Sequence, residues 1–422
     1  MLTTRPRGTN DITPETIARW HHIEERVRQI CREFNYQEIR TPVFEHTELF
    51  VRGVGDTTDI VEKEMYTFQD RGGRSLTLRP EGTAAVVRAH LQGKLPLPAK
   101  YYYLGPVFRY ERPQAGRFRQ HTQFGVEVFG TQHPAVDAEI IALAVEFFRR
   151  FDLVDLEVNV NSLGCPVCRP KYRKKLLDYL TAAGGCFCQD CRNRIERNPL
   201  RVLDCKQPEC REVASGAPAV LDVLCAECHD HFAELQRYLT RLGIKYRVNP
   251  RIVRGIDYYT KTVFEIISQD LGAQDTVCGG GRYDGLFAAF GGPPTPATGF
   301  GMGLERLLAV LEKSDYQFPK PPRLDVFVAP MGPQAMAVAV QLLQELRQAG
   351  LRCDMDYLGR SLRAQMRQAD KLDSHFAVLL GEQELEQGVA AVRAMDGGQQ
   401  VAVPLTDIKA YLLAKQNQLD LP

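Results

Sequence analysis

The sequence predicts an α+β protein: a large domain built on an antiparallel sheet, a small cysteine-rich insert within it, and a C-terminal α/β domain. Three observations carry that expectation. The stretch from Tyr101 to Gly130, YYYLGPVFRYERPQAGRFRQHTQFGVEVFG, has an apolar-rich start, a polar basic middle and an alternating end, the pattern of two strands joined by a long loop. Nine of the twelve cysteines fall between Cys165 and Cys228, which points to metal rather than to disulfides. Beyond the Pro-rich segment Asp315 to Arg323 the grammar changes to β-α-β-α-β. A chain of 422 residues makes two or three domains the prior. The expected boundaries are 1–163 with 231–318 for the sheet domain, 164–230 for the insert and 319–422 for the C-terminal domain.

Taken in order, Thr13-Pro14 reads as an N-cap and first helical residue, and Ile17, Trp20, Ile23, Val27, Ile30 and Phe34 keep helical spacing to about Asn35. QEIRTPVF is a strand interrupted at Pro42, a residue suited to an edge or an interface. Residues 51–70 show no clear period. Ser75 to Arg79 is a short strand entering Pro80-Glu81-Gly82-Thr83, and Ala84 to Leu91 is helical. Thr83 either caps that helix or, like Glu81 beside its glycine, faces a site.

In the second strand of the hairpin a period of two puts Gln123, Gly125 and Glu127 on one face and Phe124, Val126 and Val128 on the other. An amide, a gap and a carboxylate make a poor core but a good floor for a polar ligand. Arg109, Arg112, Arg117 and Arg119 against the single acid Glu111 suit phosphates, the bland alternative being a solvated hairpin with a charged tip. Pro134 to Phe151 is a helix, Leu156 to Leu163 an alternating strand, and a helix around His231 to Leu242 follows the insert. IVRGIDYYTKTVFEII (252–267) holds a second polar and aromatic cluster, and CGGGRYDGL (278–286) has three successive glycines. TGFGMGLERLLAVL (298–311) passes from a glycine-rich strand into a helix that buries Leu304, Leu307, Leu308 and Leu311. After the linker come the strand LDVFVAP, a helix from Gln334 to Ala349, the strand LRCDMDY, a helix from Leu362 to Leu372, the strand FAVLLG and a strand pair turning at Asp396-Gly397. Arg360, Arg363, Arg367 and Lys371, at helical spacing, form either a solvated face or an RNA-facing one.

A net charge of +1 gives no global attraction for nucleic acid, so any such contact must come from local patches. No apolar run approaches a membrane span and the start lacks the apolar core of a signal peptide, so a cytoplasmic protein without a membrane partner is expected. There is no GxxxxGK[ST], and GFGMG lacks an acidic ribose partner at the right distance. Arginines therefore remain as the phosphate ligands. Gly301 and Gly303 would let a ligand approach the backbone, and Arg306 in the first helical turn would reach a terminal phosphate.

In the insert, Cys165-x-x-Cys168, Cys188-x-x-Cys191 and Cys225-x-x-Cys228 have zinc-knuckle spacing, and Cys205 with Cys210 forms a looser pair. The preferred grouping joins the two ends, Cys165 and Cys168 with Cys225 and Cys228, and leaves Cys188, Cys191, Cys205 and Cys210 as an inner site. Cys186 is then spare, and His229 could replace one ligand. Zn2+ held this way would be structural, since four thiolates leave no open position.

Three signals in chain order resemble the three motifs of class II aminoacyl-tRNA synthetases: the long helix with the strand through Pro42, the FRYE-loop-strand hairpin, and GMGLERL. LRPEGTAAVVRA, RGIDYYTKTVFE and GGGRYDGL are similar to boxes of the histidyl-tRNA synthetase family, and the resemblance covers nearly the whole chain. It implies a homodimer whose sheet domain is the catalytic core and whose C-terminal domain binds the anticodon. That enzyme would activate L-histidine with ATP and Mg2+, then transfer it to the 3′ end of tRNA(His). The resemblance also places Glu81, Gly82 and Thr83 near the histidine ammonium, Gln123 on the amino acid, and Glu127 and Tyr259 on the imidazole with Tyr258 beside it. Arg109 would hold the α-phosphate and Arg306 the γ-phosphate, with Arg117 also on ATP. Arg254 would be the catalytic arginine, standing where related enzymes put a metal and, with Arg109, contacting histidine, and Arg112 and Gln114 would meet the tRNA acceptor end. From Arg169 to Glu212 there are eleven Lys/Arg against six Asp/Glu, so the insert is expected to touch tRNA phosphates. Its loss would then weaken tRNA binding and leave adenylate formation intact. A regulatory paralogue is opposed by the intact Arg254 to Tyr259 box and the full domain after Arg323, and a synthetase for another amino acid by Glu127 with Tyr258-Tyr259.

Overall fold

The computed structural model describes residues 3–56, 58–112, 116–184, 187–205, 207–252, 255–268 and 276–419. It forms two compact units, Met1–Pro319 and Lys320–Pro422, and the insert belongs to the first. Strands of the first unit are β1 (Gln37–Glu38), β2 (Phe44–His46), β3 (Tyr66–Gln69), β4 (Ser75–Leu78), β5 (Ala99–Phe108), β6 (Gln120–Phe129), β7 (Glu157–Ser162), β8 (Tyr246–Val248), β9 (Thr260–Ile267), β10 (Thr276–Arg282) and β11 (Ala297–Gly303). Eight of them make one sheet in the order β1-β5-β6-β11-β10-β9-β7-β8. Pairing is antiparallel through the middle, but β1 runs parallel to β5 and β8 parallel to β7, so the sheet is mixed at its edges.

The alternation in β6 decides which way the sheet faces. Phe124, Val126 and Val128 enter the main core, packed with Ile23 and Val27 of the helix Ile17–Glu33, Ile141 and Phe147 of the helix Pro134–Arg149, and Leu304 and Leu307. At about 25 cal/mol per Å² of apolar surface removed from water, such a continuous layer is the main stabilising term of the unit. The opposite face carries Gln123, Gly125 and Glu127. There the ring of Tyr103 fills the gap: a Cβ at Gly125 would lie 2.3 Å from it, and one at Gly82 equally close.

Two local expectations change. Pro42, which cannot donate to a ladder, separates β1 in the large sheet from β2 in a three-stranded sheet ordered β2-β4-β3. The aperiodic stretch 51–70 contains the end of a helix Thr47–Val54, a five-residue π-helix Ile60–Glu64, and β3. Each is too short to show a period. The insert packs the helices Cys168–Ala182, Gln189–Arg197 and Pro208–Ser215 around Tyr172, Leu176, Leu180, Val202 and Val220, together with Cys191, Cys205 and Cys210.

The second unit has β12 (Leu324–Pro330), β13 (Cys353–Met355), β14 (Ser374–Leu380), β15 (Val389–Ala394) and β16 (Gln400–Pro404), in the order β13-β12-β14-β15-β16. The first three are parallel and the last two antiparallel. Val326 and Val328 enter one apolar cluster and Phe327 and Ala329 another, as a strand covered on both faces requires. A final helix, Ile408–Leu419, was not anticipated by the sequence pattern.

Candidate active site and cysteine clusters

On the polar face of β6 lies a cavity of about 490 Å³. Glu81 and Thr83 reach it from the turn after β4, Tyr103 and Gln123 from the hairpin strands, and Arg109, Glu111 and Arg117 from around the hairpin loop. Tyr258 and Tyr259 form another wall, and Glu265, Glu305 and Arg306 complete it. The structure thus brings together Glu81, Thr83, Arg109, Arg117, Gln123, Tyr258, Tyr259 and Arg306 from four separate stretches of chain. Gly82 and Glu127 stand behind the lining, Arg112 is exposed, and Arg254 and Gln114 lie outside the described residues.

One end of the cavity is acidic and aromatic. The Glu81 carboxylate accepts from the backbone N–H groups of Thr83 at 2.7 Å and Ala84 at 2.9 Å, capping the helix Thr83–Gly93. Thr83 is therefore not the cap; its hydroxyl donates to Glu127 at 2.7 Å. The other oxygen of Glu127 accepts from the Tyr283 hydroxyl, so this fully buried carboxylate has both oxygens engaged. Burial pushes the Glu127 acid well above its usual range, against the pull of the Tyr283 and Thr83 hydrogen bonds, and burial also raises Glu81. The Glu81 charge adds to the rise at Glu127, and two acids buried this close together favour a cationic ligand. Gln123 is oriented from behind, its carbonyl oxygen accepting from Gly82 N–H and the Tyr103 hydroxyl, both at 3.1 Å. The rings of Tyr258 and Tyr259 are 4.7 Å apart and that of Tyr283 is 5.2 Å from Tyr258.

The other end is cationic. Arg109 donates through Nε to Pro80 O at 2.8 Å, and Arg117 pairs with Glu111. Arg306 donates to Thr276 O. His121, in the same lining, is pushed down to about 3, chiefly by burial and then by the Arg109 charge, so it stays neutral among the arginines. Burial raises Glu305 to about 7, opposed by Thr122 N–H, which donates to its two oxygens at 2.8 and 3.0 Å.

An acid held above its unfolded value stabilises the fold when protonated, and that contribution is lost as pH rises from about 4.5 through about 7. Glu305→Gln, which keeps the acceptor, should therefore resist unfolding by urea about as well as the parent at pH 5. Near pH 8 it should be the more stable by on the order of 2 kcal/mol. Parallel stability curves across that range would show that Glu305 does not titrate there.

Tyr283, His121 and Glu305 were missed by sequence reasoning. Tyr283 sits in a quoted box, but nothing local marks it as the partner of Glu127. Only the pairing of Gly281 with Gly299 and of Gly299 with Glu127 brings the two strands into line. The glycines of β11 serve these side chains too: a Cβ at Gly299 would lie 2.2 Å from Glu127, and one at Gly301 2.7 Å from Gln123.

The insert holds two groups of four cysteines, Cys165, Cys168, Cys225 and Cys228, and Cys188, Cys191, Cys205 and Cys210, with the sulfurs of each group within 4.8 Å of one another. Sulfur pairs at 3.7 and 3.8 Å match the edge, about 3.8 Å, of a tetrahedron with metal–sulfur bonds of about 2.3 Å. Backbone N–H groups of Cys225 and Cys188 donate to Cys168 and Cys210 sulfurs at 3.1 and 3.2 Å, as they would to thiolates. Both groups thus suit a metal ion. His229 is not in either and is largely exposed beside Asp230; Cys186 lies outside the described residues. No helix among the described residues is long and apolar enough to cross a membrane.

The family model described as histidyl-tRNA synthetase matches residues 8–166 and 200–307, and the one described as anticodon binding domain matches 325–415. The histidine–tRNA ligase of Desulforamulus reducens is 54% identical over 98% of this chain and 100% of its own length. That of Pelotomaculum thermopropionicum is 54% identical over 98% of both. The crystal structure of apo S. aureus histidyl-tRNA synthetase superposes with a TM-score of 0.83 at 39% identity, covering 97% of this chain and 100% of that one. Similarity of this extent, running through every box that lines the cavity, establishes that the chain belongs to the histidyl-tRNA synthetase family.

Proposed function

We propose that the cavity is where this histidine–tRNA ligase activates L-histidine with ATP, releasing pyrophosphate, before histidine passes to the 3′ end of tRNA(His) with release of AMP. The observation that carries the reading is the polarity of one cavity: buried carboxylates and phenols at one end, and Arg109, Arg117 and Arg306 at the other, with Gln123 on the strand between. The histidine ammonium would meet Glu81, Thr83 and Gln123, and its ring Glu127, Tyr258 and Tyr259. Each Glu127 oxygen already accepts one hydrogen bond, from Thr83 or Tyr283, and keeps a second lone pair that the ring could use. A site that hydrogen-bonds its substrate rejects analogues lacking the group by about 10⁴-fold.

The chemistry needs no general base, because the attacking histidine carboxylate is already ionised. Its oxygen forms a bond to the α-phosphorus while the bond to pyrophosphate breaks, and negative charge collects on the transferring phosphate. Arg109 and Arg254 would cancel that charge, and Arg306 with Arg117 would hold the departing pyrophosphate. Mg2+ would arrive with ATP, and Glu265 and Glu305 in the cavity lining would be the acids that could hold it, supplying charge neutralisation for the phosphates. Exchange of pyrophosphate into ATP tests the assignment. Histidine alone should support it; no exchange with any amino acid points to a regulatory protein, and exchange with another amino acid to a different specificity.

Around this site we assign residues 1–163 with 231–318 as the catalytic core, 164–230 as a zinc-binding insert and 319–422 as the anticodon-binding domain. Zinc suits the Cys₄ groups because it has no geometric preference beyond the tetrahedron and binds thiolate strongly. Arg112 and Gln114 would contact the acceptor end. In the second unit Arg363, Arg367 and Lys371 are exposed for RNA, whereas Arg360 pairs with Asp356. A homodimer is supported by the exposed Val43, Phe44 and Phe68 on or beside the small sheet. Sedimentation should give twice the 47.6 kDa chain mass, and a monomer at micromolar concentration would refute it. A role in translation would put the protein in the cytoplasm.

A further inference from the structure

We infer that the cysteine-rich insert braces the cavity wall formed by Gly255 to Tyr259, so that histidine activation, and not only tRNA binding, depends on it. Gly255, Ile256, Tyr258 and Tyr259 line the cavity, yet they belong to no helix or strand until β9 begins at Thr260. Such a segment must find partners for its backbone elsewhere. The Asp257 N–H donates to Val54 O at 3.1 Å, and the insert supplies partners for the carbonyls. Arg201, 8% exposed, donates to Gly255 O at 2.7 Å and stands 3.6 Å from the Asp257 carboxylate. Asn198 donates to the same carboxylate at 3.3 Å. From another helix of the insert, Arg169 donates to Tyr259 O and, at 3.4 Å, to Asp257 O. On the upstream flank Arg251 donates to Ser215 O, in the insert, at 2.6 Å.

These brace residues hang from the cysteine groups. Arg169 directly follows Cys168 of the first group, and Asn198 and Arg201 lie between Cys191 and Cys205 of the second. A guanidinium bonded to a main-chain carbonyl sets the height of the wall, and the wall carries the two tyrosines proposed for the histidine ring. Displacing such a surface by about 1 Å can cost up to a hundredfold in rate without any loss of a reacting group. Arg169, Asn198 and Arg201 are thus positioning residues. On this inference loss of the insert would impair adenylate formation as well, against the expectation drawn from its charge alone.

The inference rests on the cavity being the site of histidine activation, so exchange by the parent chain is measured first. If histidine supports no exchange there, the cavity assignment falls, and the brace with it. Arg201→Ala is then compared with Arg194→Ala, which breaks a 3.1 Å ion pair from the same helical region to Asp59 without touching residues 255–259. Arg201→Ala should lower kcat for exchange by about tenfold or more and raise KM for histidine, while KM for ATP stays within about twofold. Arg201→Lys should recover part of the loss, and Arg194→Ala should remain near the parent. Near-parental exchange in folded Arg201→Ala, an equal loss in Arg194→Ala, or a rise in KM for ATP as large as that for histidine each overturns the proposal. Should Arg201→Ala fail to fold, Asn198→Ala is read in the same assay, where undiminished exchange has the same force.

Discussion

Arg109→Ala should slow histidine-dependent exchange by about a hundredfold or more while leaving the protein folded. The size follows from removing one preorganised cation from a transferring phosphate in a water-poor cleft, on the order of 3 kcal/mol of transition-state stabilisation. The structure explains why this arginine is well placed. It leaves the chain just after β5, and its Nε is fixed on Pro80 O, directly before Glu81. One residue therefore ties the cationic end of the cavity to the turn that carries the acidic end. Losing that hydrogen bond should cost about 1 kcal/mol, a few degrees of melting temperature at most. The Arg109 charge also holds the Glu81 acid down, so its removal lets burial raise Glu81 further and weakens ammonium binding. Arg109→Lys keeps the charge but has lost the planar fork that bonds Pro80 while presenting two more donors, and should recover only part of the rate. Exchange within fivefold of the parent in a folded Arg109→Ala protein would remove this residue from the α-phosphate.

Cys191→Ser should halve the metal content and destabilise the insert. Cys191 is fully buried in the inner group, within the insert's own small core. Structural zinc supplies on the order of 10 kcal/mol to folding small domains, and an insert of this size has little apolar core to replace it. Protein purified without chelator should carry about two zinc ions per chain by atomic absorption, and the variant about one. The variant should also be cut by protease within the insert at concentrations the parent resists. Zinc-free parent protein that is fully folded would refute the assignment. If the brace is right, the variant loses exchange activity too, because Asn198 and Arg201 no longer have a fixed base.

Much of the site was legible in the sequence for reasons that can be stated. Strand alternation put Gln123 and Glu127 on the face opposite Phe124, Val126 and Val128, because side chains along a strand point alternately to its two faces. Cysteine spacing named the eight sulfur positions, since a turn between two ligands of one metal admits few lengths. What escaped was whatever depended on two distant segments meeting. Thr83 could be read either as the helix cap or as facing a site, and only the fold decides: the Glu81 carboxylate takes the free N–H groups of the helix while lining the cavity, and the Thr83 hydroxyl turns inward to Glu127. Tyr283 carries no local sign of its role.

The insert shows the same division most clearly. Its cysteine groups and its basic character are properties of nearby residues, and composition and spacing reveal them. That its arginines grip the carbonyls of Gly255 and Tyr259 depends on where the insert lies against a loop 54 residues further along from Arg201 and 90 from Arg169. A guanidinium looks the same in sequence whether it meets a phosphate, a carboxylate or a carbonyl. Sequence by itself determined the family, most of the strands and the grouping of the cysteines; tertiary structure decided the partners, because hydrogen bonds between remote segments are set by packing and register and leave no local period to read.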